Sequence, residues 1–225
     1  MTGGPGNRRP LASRDAAWAR RTARWLSAGR VTPNAISTAG VLVAAAGGLA
    51  LALSAYAGGW MRAALLLAAA AACQLRLACN LLDGMVAIEG GRAAPDGPFW
   101  NEAPDRLSDI MLLVGAGHAA GQPALGWAAA AFAVLTAYVR ELGRGEGFSP
   151  DFSGPMAKQH RMAVLTGGAV LGAVLPAILS LALWAIALGA AATALRRSWR
   201  LVRALRSRSR AEPAGVRPRP PAPDA

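Results

Sequence analysis

Apolar residues fill this chain in blocks, and polar residues collect between them. Six blocks stand out, over residues 35–57, 61–82, 105–121, 124–140, 162–178 and 180–195. Several approach the roughly 20 residues that a helix needs to cross a bilayer core; the last two are short. The breaks are tight: Gly58-Gly59 after the first block, Gly121-Gln122-Pro123 after the third, and a weaker one near Pro176 to Ser180 after the fifth. Val31-Thr32-Pro33-Asn34 opens the first block, with Pro33 stopping a helix that arrives from upstream. The pattern predicts an all-α, polytopic membrane bundle of about six transmembrane helices.

The two ends read differently. Residues 1–12 are rich in Gly and Pro and read as disordered. Over residues 14–30, Arg14, Trp18, Arg20, Arg21, Arg24, Trp25 and Leu26 place basic and aromatic side chains at helical spacing. This predicts a helix lying on an anionic membrane surface, with a solvated basic arm as the bland alternative. Between Arg196 and Arg210, arginines alternate with Trp199, Leu201, Val202 and Leu205, which extends the last helix onto the lipid surface. After Glu212 the chain is Pro-rich. The expected organisation is therefore a basic start over 1–30, one membrane domain over 31–205 and a disordered Arg/Pro-rich tail over 206–225.

Composition sharpens this picture. A length of 225 residues suits one domain, and 54% hydrophobic residues suit a membrane protein. The net charge of +12 raises the question of nucleic acid. The cations, however, gather at the two ends with no aromatic-interleaved binding face between them, which speaks against it. Residues 1–30 have no apolar core of the kind a cleaved signal peptide carries. Cys73 and Cys79 are six apart in one apolar segment and point in different directions on a helix, so no disulfide between them is expected. Of the 24 basic residues only Lys158 is a lysine, and with abundant Ala this bias suggests a GC-rich bacterial source. Most of the basic charge lies in the N-terminal arm, the 88–105 link, the 141–161 link and the tail. The opposite loops hold only Arg62. The positive-inside rule then puts both termini and both long links on the cytoplasmic side of the inner (plasma) membrane.

Between the second and third blocks lies the stretch with the most chemistry. Asn80 and Asp83 are three apart, and Asn101 and Asp105 are four apart. On helices each pair shares a face. Carboxylates at the end of an apolar helix are expensive and mark an ion or substrate site.

The segment resembles the signature of the CDP-alcohol phosphotransferase family, D-x2-D-G-x2-A-R-x8-G-x3-D-x3-D. Its slots fall on Asn80, Asp83, Gly84, Ala87, Ile88, Gly97, Asn101 and Asp105, with every spacing kept. Asp83, Gly84, Ala87, Gly97 and Asp105 match in identity; Asn80, Ile88 and Asn101 depart from it. The resemblance implies an integral membrane transferase that moves a substituted phosphate group from a CDP-alcohol to an acceptor alcohol, releasing CMP, in phospholipid biosynthesis. It implies Mg²⁺ or Mn²⁺ as a two-metal site on Asn80, Asp83, Asn101 and Asp105, with Asp105 also as general base. The two Asn leave the four slots with two negative charges instead of four. Gly84, Ala87 and Gly97 would lie beside the nucleotide, and Arg140 and Lys158 would face the same cavity and its phosphates.

Glu102 and Asp109 are auxiliary candidates for restoring charge to the site. His160 is a candidate proton carrier, with Arg161 beside it. Arg92 or Arg106 would substitute for the family arginine at Ile88. His118 reads as a packed histidine, and Trp60, Trp127 and Trp184 as interface anchors. The implied partners are a CDP-linked lipid donor, CDP-diacylglycerol foremost, a small acceptor alcohol and anionic membrane lipids; a homodimer stays open. Two other functions also stay open: a catalytically weak homologue that binds nucleotide or lipid, and a small membrane transporter or scaffold. Against the transporter stands a ligand cluster at the cytoplasmic end instead of mid-membrane.

Overall fold

The computed structural model describes residues 17–89 and 96–211; the side chains of Ile88, Glu89, Pro98, Asn101 and Ala211 fall outside the description. The expectations for residues 1–16, for Arg92 and for residues 212–225 therefore lie outside the described residues. Seven helices follow one another: α1 (Ala17–Ala28), α2 (Pro33–Ser54), α3 (Gly59–Glu89), α4 (Gly97–Ala119), α5 (Pro123–Gly145), α6 (Lys158–Gly172) and α7 (Ala177–Ala211). No strand occurs among the described residues. The expected all-α membrane bundle is the architecture observed.

Four helices, α2, α3, α5 and α7, are long and apolar enough to cross a membrane by themselves. The other two bundle members differ for separate reasons. α4 carries Glu102, Asp105, Arg106 and Asp109 between its start and its middle turn. α6 has 15 residues, about 22 Å at 1.5 Å per residue, against a bilayer core of about 30 Å.

α2 starts where Pro33 predicts. Thr32 caps it, its Oγ1 accepting from the Ala35 N–H at 3.2 Å, and Pro33 occupies the first turn, where its missing N–H leaves nothing unpaired. Several boundaries differ from the sequence pattern: α3 runs on to Glu89 and α5 to Gly145, past the apolar blocks at 82 and 140, and three others have a local cause. α4 begins at Gly97 and not at 105, because its first two turns are polar and carry no apolar period. α6 begins at Lys158 and not at 162, for the same reason. The break between the last two helices spans 173–176 and not 176–180, since Pro176 has no N–H to continue α6. α7 has 35 residues, about 52 Å, and runs past the bilayer thickness as one helix through residues 206–211, where a disordered tail was expected to begin.

α2 packs on α3 and α4, α4 on α5, α5 on α7, and α6 on both α7 and α3. The core between them holds Leu51, Leu66, Cys73, Leu112, Leu113, Met162, Leu165, Leu183 and Ile186. Both cysteines are free thiols. α2 and α4 approach to backbone contact: a Cβ on Gly115 would stand 2.3 Å from the Gly48 carbonyl oxygen. Only glycine permits that approach, which seats the second half of α4 closely on α2.

α1 is docked as well as amphipathic. Ala19 and Ala23 are fully buried against Leu81, Leu82, Met85 and Val86 of α3 and Ile36 of α2, while Trp18 and Trp25 stay exposed on its outer face. α1 thus sits at the same end of the bundle as the end of α3. Lys158 at the start of α6 meets Asp105 near the start of α4, and Arg197 of α7 donates to the Thr136 carbonyl at 2.8 Å. One end of the bundle therefore collects the polar segments.

Candidate active site

The site begins with one helical face. Arg76, Asn80 and Asp83 follow at one-turn spacing on α3, where a helix stacks residues three and four apart. α4 supplies Asp105 and Ser108, also one turn apart. Arg76 is 2% exposed and reaches across from α3 to α4. Its Nε donates to Ser108 Oγ at 2.7 Å, and its Nη2 pairs with Asp105 Oδ1. Ser108 in turn donates to the Pro104 carbonyl one turn back in α4 at 2.7 Å. Room for the Arg76 stem comes from α2: a Cβ on Gly40 would lie 3.3 Å from Arg76 Cδ.

Asp105 carries further cations. Lys158 Nζ lies 2.5 Å from Oδ1, and Arg106 Nη2 lies 3.7 Å from Oδ2. With its amide oriented to suit both neighbours, Asn80 donates to Asp105 Oδ1 at 3.0 Å and accepts from Lys158 Nζ at 3.1 Å. Asn80, Asp105 and Lys158 thus meet, drawn from three helices. Asp83 is different. Ser37 of α2 donates to its Oδ2 at 2.7 Å, and no ion pair reaches it among the described residues. It is 8% exposed.

The other candidates fall into two groups. Arg140, Glu102 and Arg106 form a second ion-pair chain at the rim. Arg140 Nη2 meets Glu102 Oε2 at 2.5 Å and its Nε meets Glu141 at 2.9 Å, while Arg106 reaches the same Glu102 oxygen at 3.2 Å. The Arg140 guanidinium also lies 5.5 Å from the centre of the Phe152 ring. Through Arg106 this chain joins Asp105, so Arg140 and Lys158 flank one polar cluster. Deeper in, Asp109 is 1% exposed and paired with Arg161 at 2.5 Å; Arg161 also donates to the Met156 carbonyl at 3.2 Å. His160 is exposed, its Nδ1 3.1 Å from the Pro155 carbonyl. Glu102 and Asp109 are thus already matched with cations, and His160 points away from the cluster. Among the described residues no group of three or more His, Cys, Asp and Glu side chains converges in a way that would hold a metal ion.

A Cβ on Gly84 or Gly97 would meet nothing within 4 Å among the described residues. Ala87 is half-buried one turn beyond. The sequence reading passed over Ser37, Arg76 and Ser108. Arg76 had a signal: a cation inside an apolar block, one turn before Asn80, on the same helical face.

No protein-family model matches this chain, and no curated protein matches it. Solved structures do. The crystal structure of Mycobacterium tuberculosis phosphatidylinositol phosphate synthase with CDP-DAG bound superposes with a TM-score of 0.72 at 18% identity, covering 91% of this chain and 100% of that one. The same enzyme in complex with manganese and citrate gives 0.71 at 18%, over 90% and 93%. Its apo form gives 0.67 at 20%, over 81% and 94%. At these identities the likeness is one of fold, and the fold is the polytopic helical membrane bundle that the signature spacing implies.

Proposed function

We propose that this chain is an integral membrane transferase that takes a CDP-linked lipid and moves its phosphatidyl group to an acceptor alcohol, releasing CMP. One observation carries the reading. The fold of a synthase whose structure contains CDP-DAG extends over 91% of this chain, and the meeting of Asn80, Asp105 and Lys158 within the signature region supports a site there. A lipid-linked pyrophosphate enters from the membrane plane, and the cytosol supplies or receives the soluble partner. Basic charge along α1 and the end of α7 supports a cytoplasmic orientation of this end and contact with anionic lipid.

The chain's own groups suggest the division of labour. Lys158 and Arg140 flank the cluster and would hold phosphate oxygens. Gly84 and Gly97 leave room for the nucleotide. The acceptor oxygen attacks the phosphorus of the lipid-linked phosphate, the bond to CMP breaks, and CMP leaves with the electron pair. Asp105, at the meeting point of α3, α4 and α6, is the carboxylate placed to take the hydroxyl proton.

The donor set does not fit a pair of divalent ions. Hard cations want several charged oxygens. Here Asp83 and Asp105 are the carboxylates of the motif, and Asp105 is already bound by Arg76 and Lys158. Manganese is a component of one related structure; no step above is routed through a metal.

The test is direct. Purified protein is incubated with CDP-diacylglycerol and a panel of alcohols, with Mg²⁺, with Mn²⁺ and with EDTA, followed by CMP assay and mass spectrometry of the lipids. A new phospholipid with matching CMP is the expected result. CDP-diacylglycerol that binds without CMP release in any mixture would leave a lipid- or nucleotide-binding homologue in its place.

A further inference from the structure

We infer that the signature site of this chain carries its positive charge in its own side chains, with Arg76 and Lys158 standing where a divalent metal pair would otherwise be needed. For its ligand the inference rests on the proposed function; for the metal it stands alone.

Three observations support it. Arg76 is built in: it is buried and bonded to Ser108, and its stem runs close past Gly40, where a Cβ would stand 3.3 Å from Arg76 Cδ. A guanidinium in such a place needs a permanent anion, and Asp105 supplies it. The charges also balance locally. Two carboxylates of the motif, Asp83 and Asp105, are equalled in number by two cations, Arg76 and Lys158, both paired with Asp105, so these four groups carry no net negative charge to attract a divalent ion. Finally, Asn80 is engaged in a way a carboxylate could not match. Its amide nitrogen donates to Asp105 while its oxygen accepts from Lys158. An Asp in that position would set two carboxylates side by side and take away the amide donor that Asp105 now receives. Asn80 is thus the residue that closes a metal-free network.

The network also has capacity left for an anion. Arg76 Nη1 is buried with no hydrogen-bond partner among the described residues. Lys158 is a single flexible ammonium whose side chain is 18% exposed at the rim of the cluster. A phosphate oxygen entering beside Gly84 and Gly97 can draw Lys158 away from Asp105 while Arg76 keeps that carboxylate paired. The ligand class is a phosphodiester or pyrophosphate of a CDP-linked lipid, bound by a cation and not through a bridging metal.

The experiment measures metal and ligand separately. Mn²⁺ binding to purified protein in detergent is followed by electron paramagnetic resonance, for wild type and for the triple variant R76L/N80D/N101D. Wild type is expected to show no saturable site up to about 1 mM, the weak end of protein sites for divalent ions. The triple variant, with two more carboxylates and one cation fewer, is expected to bind at least about tenfold more tightly. A saturable wild-type site below about 100 µM would overturn the inference, and that measurement needs no variant to fold. A folded triple variant no better than wild type would overturn it too, since the cations would then not be what excludes the metal. In a second arm, the thermal midpoint is recorded with CDP-diacylglycerol in EDTA and in Mg²⁺. An equal rise in both supports the inference, and a rise only with Mg²⁺ overturns it. No rise in either removes the proposed function, and the Mn²⁺ arm still decides the inference.

Discussion

The two carboxylates kept from the signature sit in opposite surroundings. Asp83 receives a neutral hydroxyl from Ser37. Asp105 lies among Arg76, Lys158 and Arg106. Both are nearly buried and both belong to one motif, yet one is held by a dipole and the other by charge. The difference teaches that a motif position fixes where a carboxylate points and not what it does. Burying an ion pair is electrostatically close to break-even, whereas removing one partner of it is not. Asp105 is therefore tied to the stability of the α3–α4–α6 junction, and Asp83 is free to act on a ligand without that consequence.

The largest effect should come from Asp105→Asn, which breaks the comparison at its charged side. Arg76 would remain buried, and Lys158 half-buried, beside a neutral amide, a loss of about 3–5 kcal/mol of stability. A thermal melt in detergent reads that loss, and CMP release by the folded fraction should fall by about 10²–10⁴ if Asp105 is the base. A normal melt with normal turnover would show that Asp105 is neither anchor nor base. Arg76→Leu comes next. Asp105 keeps Lys158 and Arg106, so the expected loss is about 1.5–3 kcal/mol, the range for hydrogen bonds to charged groups. Asp83→Asn should lower stability by only about 0.5–1.5 kcal/mol, because an amide oxygen still accepts from Ser37. The same change should weaken CDP-diacylglycerol binding or turnover if Asp83 faces the ligand, which a binding titration measures. Equal melts for Asp83→Asn and Asp105→Asn would erase the contrast altogether.

The smallest change in stability should be the most diagnostic one. Gly84→Ala meets no protein atom within 4 Å among the described residues and relieves a mid-helix glycine, so stability should hold or rise by up to about 1 kcal/mol. If the open space there is the ligand's, affinity for CDP-diacylglycerol should drop by about tenfold, or 1.4 kcal/mol. A stable variant with unchanged affinity would move the nucleotide elsewhere.

Much of this molecule is legible from its sequence. Apolar block lengths fix an all-helical membrane bundle, since a bilayer admits few other ways to satisfy a backbone. Pro33, Gly58-Gly59 and Gly121-Gln122-Pro123 mark turns that the structure keeps. Fixed spacing puts Asn80 with Asp83, and Asn101 with Asp105, on single helices. The starts of α4 and α6 were hidden, because polar first turns carry no apolar period to read. What only the tertiary structure decided is pairing across helices. Nothing in the order of residues says that Arg76 crosses to Asp105, that Lys158 joins them from α6, or that Glu102 and Asp109 are already taken by Arg140 and Arg161. Those contacts depend on helix rotation and on close approaches at Gly40, Gly48 and Gly115. Periodicity along one helix sets which residues share a face. Only packing between helices sets which charge that face meets.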